Sequence, residues 1–285
     1  MALARERWDT PDGDFIDVDF AGDRAASRLL VLFHGLEGSS DSHYARALAG
    51  RASQTGWRLA IPHFRGCSGD PNKLARAYHS GDSEEIDWIL RRFDRPLAVV
   101  GVSLGGNAFL KWLGERGEKA RQVVQRAAVV SAPVDLAASG RALDRGFNRL
   151  AYTRMFLSTL KPKSIAKLAA FPGIYAAARV RAARTFREFD DTVTAPIHGF
   201  RDADHYWGHS SSGPWLERIR VPTLLLNARN DPFLPEAELI AATRKAAACV
   251  VLDFPRTGGH AGFFSGPFPG RHGWLAQRLF GFLES

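Results

Sequence analysis

Short apolar runs separated by mixed, helix-periodic stretches set the rhythm of the first half of the chain. Leu29-Leu30-Val31-Leu32-Phe33 has no polar alternation, the pattern of a strand covered on both faces. Trp57–Pro62, 97–100 and 127–130 read the same way, and 221–228 and 249–254 repeat the pattern near the C-terminus. Asp14-Phe15-Ile16-Asp17-Val18-Asp19-Phe20 instead alternates, which predicts a half-buried antiparallel strand at a sheet edge. Helices are expected around 44–50 and over 81–92, the second with Asp82, Glu84 and Glu85 at its positive N-terminal end. Strands alternating with helices predict an α/β fold with a mainly parallel sheet and helices on both faces.

From Asp135 to about Ser212 the rhythm changes. This stretch is rich in alanine and arginine, has no buried-type strand, and is expected to break at Pro162, Pro172-Gly173 and Pro196. A helical insertion between two core strands reads as a cap over a site below it. The expected organisation is therefore an α/β core in two parts, 1–134 and 213–285, with a helical cap at 135–212. Repeats, low-complexity tracts and long flexible linkers are absent from the sequence.

The candidate chemistry begins where strand 97–100 runs into Gly101-Val102-Ser103-Leu104-Gly105, a G-x-S-x-G followed by helix-forming residues. At such an elbow the serine backbone is strained and its oxygen exposed, so small residues two before and two after let strand and helix pass closely. Ser103 is the candidate nucleophile. An acid and a histidine are expected after it, each in a loop following a strand. Asp231, at the tip of Arg229-Asn230-Asp231-Pro232, and His260, in Thr257-Gly258-Gly259-His260-Ala261-Gly262, meet that order. The loop His34-Gly35-Leu36-Glu37-Gly38 follows an early strand, so backbone N–H groups of Leu36 and Leu104 are the candidate oxyanion donors.

Other readings compete. Asp135 follows the strand after the nucleophile strand, where an acid could also sit, but it equally suits the N-cap of a helix. His205 and His209 have i, i+4 spacing beside Asp202 and Asp204. They lack the intervening glutamate of a metalloprotease helix, and packing is the expected role rather than metal binding. His34 is expected to pack its loop, and Cys67 to be a buried structural thiol.

Charge changes the picture little at this level. The formal net charge of +8 comes mostly from arginine without a Lys/Arg block or an aromatic-interleaved basic stripe, so no nucleic-acid partner is expected. Arg181, Arg184 and Arg187 are spaced to share one helix face. Two cysteines form no metal or redox motif, and no run is long enough to span a membrane. The start of the chain has no apolar leader region. The expectation is a cytoplasmic enzyme without stable membrane insertion.

Taken together, Asp12-Gly13-Asp14-Phe15, His34-Gly35-Leu36-Glu37-Gly38, Arg65-Gly66-Cys67-Ser68-Gly69, Tyr78-His79-Ser80-Gly81, Ser103-Leu104-Gly105-Gly106-Asn107, Phe189-Asp190-Asp191, Thr194-Ala195-Pro196, Gly199-Phe200 and Asn230-Asp231-Pro232-Phe233 resemble the YheT-like α/β-hydrolases. That group includes plant embryogenesis-associated proteins and animal abhydrolase-domain lipid esterases. The resemblance covers nearly the whole chain. It implies a serine carboxylester hydrolase with Ser103, Asp231 and His260 as its triad, no cofactor or metal, and a small-molecule ester as substrate. Short- to medium-chain acyl esters are the expected class, with Met155, Phe156, Leu157, Leu160, Ile174 and Tyr175 as candidate acyl-pocket residues. An acyltransferase using the same residues, or a small-molecule-binding homologue with weak catalysis, is the alternative.

Overall fold

The computed structural model describes residues 3–266 and 273–285. Met1 and Ala2, the first residues of the leader reading, lie outside them. Eight strands form one sheet in the order β1-β2-β4-β3-β5-β6-β7-β8. They are β1 (Ala4–Asp9), β2 (Phe15–Ala21), β3 (Arg28–Phe33), β4 (Trp57–Pro62), β5 (Leu97–Val102), β6 (Val124–Val130), β7 (Thr223–Leu226) and β8 (Val250–Asp253). β1 and β2 pair antiparallel, as do β2 and β4, and from β4 to β8 every pairing is parallel.

The unalternating runs are explained by layers on both faces of the sheet. In β3, Leu29, Val31 and Phe33 join the core beneath α2 (Ser83–Leu90) and α3 (Leu104–Arg116), while Leu30 and Leu32 face α1 (His43–Gln54) and the C-terminal helix α12 (Gly273–Leu283). Five consecutive buried residues thus serve two cores, and each buried aliphatic or aromatic side chain contributes about 1.5–3 kcal/mol of hydrophobic stabilisation.

β2 is not an edge strand. The missed strand β1 lies outside it, and the register sets Arg5 opposite Asp19 and Arg7 opposite Asp17. Asp19 accepts from Arg5 Nε at 2.7 Å, Ser40 Oγ at 2.6 Å and His63 Nε2 at 2.8 Å. Burial alone would raise the Asp19 carboxyl, but these partners hold it well below the usual carboxylate range. The polar stripe of β2 is therefore buried and paired rather than solvated.

Between β6 and β7 the described residues are helical and contain no strand. The helices are α4 (Leu136–Leu143), α5 (Gly146–Asn148), α6 (Arg154–Ala170), α7 (Ala177–Ala182), α8 (Phe186–Phe189), α9 (Ala195–Ile197) and α10 (Ala203–Ser210). After β7 comes α11 (Glu236–Thr243). The insertion has apolar clusters of its own, one around Phe186 and Trp207, another around Leu157 and Val180. Pro162 does not break its helix but lies inside α6. The turn is held from outside: Lys161 Nζ donates to the carbonyls of Arg181 and Ala183, and Leu157 packs inward. Arg181, Arg184 and Arg187 do not share a helix face, because α7 ends at Ala182 and α8 begins at Phe186.

Candidate active site

The link from β5 to α3 is a single residue, Ser103, at φ 52° and ψ −121°. A non-glycine residue there costs about 1–3 kcal/mol and persists only where the surroundings hold it. Here the Ser103 N–H donates to Val130 O at 2.8 Å. A Cβ on Gly105 would lie 2.4 Å from the carbonyl oxygen of His34, and one on Gly101 2.7 Å from Gly106 Cα. Only glycine lets the helix start this close to the strands on either side.

Asp231 and His260 converge on this serine from two other loops. Asp231 follows β7, is buried, and accepts from the Phe233 N–H at 2.9 Å. His260 follows β8; its loop is pinned where Gly259 N–H donates to Asn230 Oδ1 at 3.0 Å and Ala261 N–H to Ser131 Oγ at 3.0 Å. The imidazole lies with Nδ1 3.0 Å from Asp231 Oδ2 and Nε2 2.9 Å from Ser103 Oγ. Phe233 stacks on the ring at 3.9 Å between centroids and covers it. A hydroxyl so placed can pass its proton to the imidazole, while the buried carboxylate fixes the tautomer and the orientation of the ring.

The loop after β3 turns beside the same serine. Gly35 N–H donates to Tyr44 Oη at 2.9 Å and Glu37 N–H to Tyr78 Oη at 2.9 Å. These bonds occupy the amides on either side of Leu36, and Leu36 lines the same cavity as Leu104 and Ser103. Leu104 opens α3, so its N–H has no intrahelical acceptor. His34 anchors the loop from below. Its Nε2 accepts from Phe64 N–H at 3.0 Å and its Nδ1 donates to Gly35 O at 2.8 Å, and burial lowers its pKa to about 3, keeping it neutral.

A cavity of about 680 Å³ opens above these groups, roofed by the helical insertion. Phe156, Leu160, Tyr175, Phe186 and Trp207 give it apolar walls. Met155 does not line it and is exposed, while Leu157 is buried inside the insertion. Asp190, in the wall, accepts from Trp207 Nε1 at 2.8 Å and Thr194 Oγ1 at 2.6 Å; burial pushes its carboxyl up to about 7.

The competing residues lie elsewhere. Asp135 caps α4, accepting from Ala138 N–H at 2.9 Å. His205 and His209 pack edge to face at 4.1 Å along a separate surface depression. Cys67 is largely covered, and burial pushes its thiol up to about 12. Sequence reasoning gave no role to the residues that hold the site: Tyr44, and Tyr78 and Asn107, which it quoted only as members of family motifs. Asn107 is fully buried; its Nδ2 donates to Ser80 O and Ser210 O, and its Oδ1 accepts from Ser212 N–H, tying α3 to the end of the insertion. No local pattern announces such long-range contacts.

The profile of a family described as alpha/beta hydrolase fold matches residues 28–267. The chain is 40% identical over 284 residues to YheT of Escherichia coli strain K12, described as a candidate esterase, covering 96% of this chain and 82% of that protein. The chain belongs to the YheT-like α/β-hydrolases. It is accordingly a hydrolase. A YheT-like relative at 28% identity is mouse phospholipase ABHD3, where the match spans 91% of this chain and 66% of the relative. Among solved structures, the esterase EaEST from Exiguobacterium antarcticum superposes with a TM-score of 0.64 at 18% identity, covering 98% of this chain and 99% of that one, and so shares the fold of this YheT-like chain.

Proposed function

We propose that this YheT-like hydrolase is a serine carboxylester hydrolase. The observation that carries the reading is the unbroken relay from Ser103 Oγ through His260 to Asp231, at 2.9 and 3.0 Å, on the floor of an apolar cavity. The descriptions of two relatives, a candidate esterase for YheT of Escherichia coli and a phospholipase for mouse ABHD3, point the same way.

In the proposed mechanism His260 Nε2 takes the Ser103 proton as the oxygen attacks the ester carbonyl carbon. The tetrahedral oxyanion is held by the N–H groups of Leu36 and Leu104, which gain most when the charge develops. The alcohol leaves with the proton from His260. Water, deprotonated by the same imidazole, then attacks the acyl-serine and releases the acid. The helical insertion at 135–212 acts as the cap, and its walls set the acyl length.

Short- to medium-chain acyl esters are the proposed substrates. Each methylene gains about 0.8 kcal/mol only while an apolar wall can bury it, and the cavity is about 680 Å³. A nitrophenyl ester series should therefore rise in kcat/KM with chain length and then fall. A profile still climbing at long chains would overturn the length assignment. Inclusion of a short alcohol reports on transfer: an alkyl ester product would identify an acyltransferase.

A further inference from the structure

We propose that the outer face of the insertion along α5 and α6 is a docking surface for an anionic lipid bilayer. From Arg145 to Arg187 the chain carries ten Lys/Arg and no Asp/Glu, so this segment exceeds the whole chain's net charge of +8 and the remainder is slightly acidic. The positive charge is concentrated in this segment although it forms no contiguous Lys/Arg block. Of the ten cations, Lys163 pairs with Glu37 and Arg187 with Asp204; no carboxylate partner occurs for Arg145, Arg149 and Arg154 among the described residues.

Apolar exposure falls in the same place. Phe147 is 73% exposed, Leu150 67% and Met155 53%, the first two being the most exposed large hydrophobic side chains among the described residues. Backbone from Gly146 to Ala170 is continuously helical, through α5, a wider turn at Arg149–Thr153 and α6. Side chains three and four apart share a side of such a helix, so 147, 150 and 154 group together. Exposed apolar groups flanked by unpaired arginines are the composition of a helix that lies in a lipid interface.

The face is rooted in the site. Asn148 Nδ2 donates to Pro232 O at 2.7 Å, beside Asp231. Phe147 meets Tyr152 at 6.4 Å, Tyr152 meets Phe233 at 4.9 Å, and Phe233 covers His260. A bilayer on this face would lie next to the catalytic loops. Charge decides between occupants: a second copy docked symmetrically would oppose arginine to arginine, whereas phosphatidylglycerol supplies the missing anions.

Docking does not rest on the serine mechanism, and Ser103→Ala should bind vesicles unchanged. The test is co-sedimentation with vesicles of phosphatidylglycerol and phosphatidylcholine, or of phosphatidylcholine alone. Wild type should pellet with the mixed vesicles, at least tenfold more weakly with phosphatidylcholine alone, and more weakly as salt rises. Phe147→Ser/Leu150→Ser/Met155→Ser and, separately, Arg145→Gln/Arg149→Gln/Arg154→Gln should each lose at least tenfold, with melting and turnover of a soluble nitrophenyl ester unchanged. Failure of wild type to pellet, full binding by either triple variant, or a wild-type dimer that Phe147→Ser/Leu150→Ser/Met155→Ser splits would each overturn the proposal.

Discussion

Replacing Gly105 with alanine tests how far the elbow depends on close backbone approach. The new Cβ would sit 2.4 Å from His34 O, 2.7 Å from Phe33 O and 2.8 Å from Phe33 C, all backbone atoms that no rotamer change can move. Relief requires α3 to shift away from the end of β3, and overpacking of this kind costs about 1–3 kcal/mol. For a domain of this size each kcal/mol lowers Tm by about 2–4 °C, so a fall of about 2–12 °C is expected. The same shift separates the Leu104 and Leu36 amides, and a displacement of about 1 Å costs on the order of a hundredfold in kcat. Gly208→Ala is the control: it lies in α10, nothing is within 4 Å of its added Cβ, and helix propensity should gain about 0.5–1 kcal/mol. Urea denaturation and ester kinetics on the two variants give both numbers. Gly105→Ala with wild-type stability and turnover would refute the close-approach argument.

Asp231→Asn should lower kcat by about 10⁴ by leaving the imidazole in the wrong tautomer, whereas Asp135→Asn keeps an equally good N-cap and should change neither kcat nor stability by more than a small factor; steady-state kinetics ranks them. Asp190, raised by burial to about 7, holds more protons folded than unfolded, so its contribution to stability is present at low pH and is lost as pH rises through about 7. Relative to wild type, Asp190→Asn should gain stability between about pH 4 and pH 7, by up to roughly 1.4 kcal/mol per pH unit, in urea titrations; a pH-independent difference would contradict the buried-carboxyl assignment.

Much of the sheet was legible because its signals are local. An apolar run such as 29–33 is contiguous in sequence, and a strand followed at once by a glycine-bounded serine describes the β5–α3 elbow. The Asp231 and His260 loops were legible for the same reason, each being a turn cluster after an apolar run. What escaped depends on partners distant in sequence. Alternation in β2 looks the same whether its aspartates meet water or the arginines of β1, and only the Arg5–Asp19 and Arg7–Asp17 register decides. Tyr44 and Tyr78, which fix the loop around Leu36, carry no pattern linking them to it. Pro162 stays inside α6 because packing and the Lys161 contacts hold its turn against local propensity. The basic segment was overlooked for another reason: its mark is the absence of acids over a long stretch, not a run of cations.

The central claim is that Ser103 is the nucleophile. Labelling with a fluorophosphonate probe, followed by peptide mapping, measures this most directly. The prediction is one adduct per chain on Ser103, lost together with ester hydrolysis in Ser103→Ala while melting is unchanged. An alanine variant that keeps wild-type turnover, or an adduct on another residue, would contradict it.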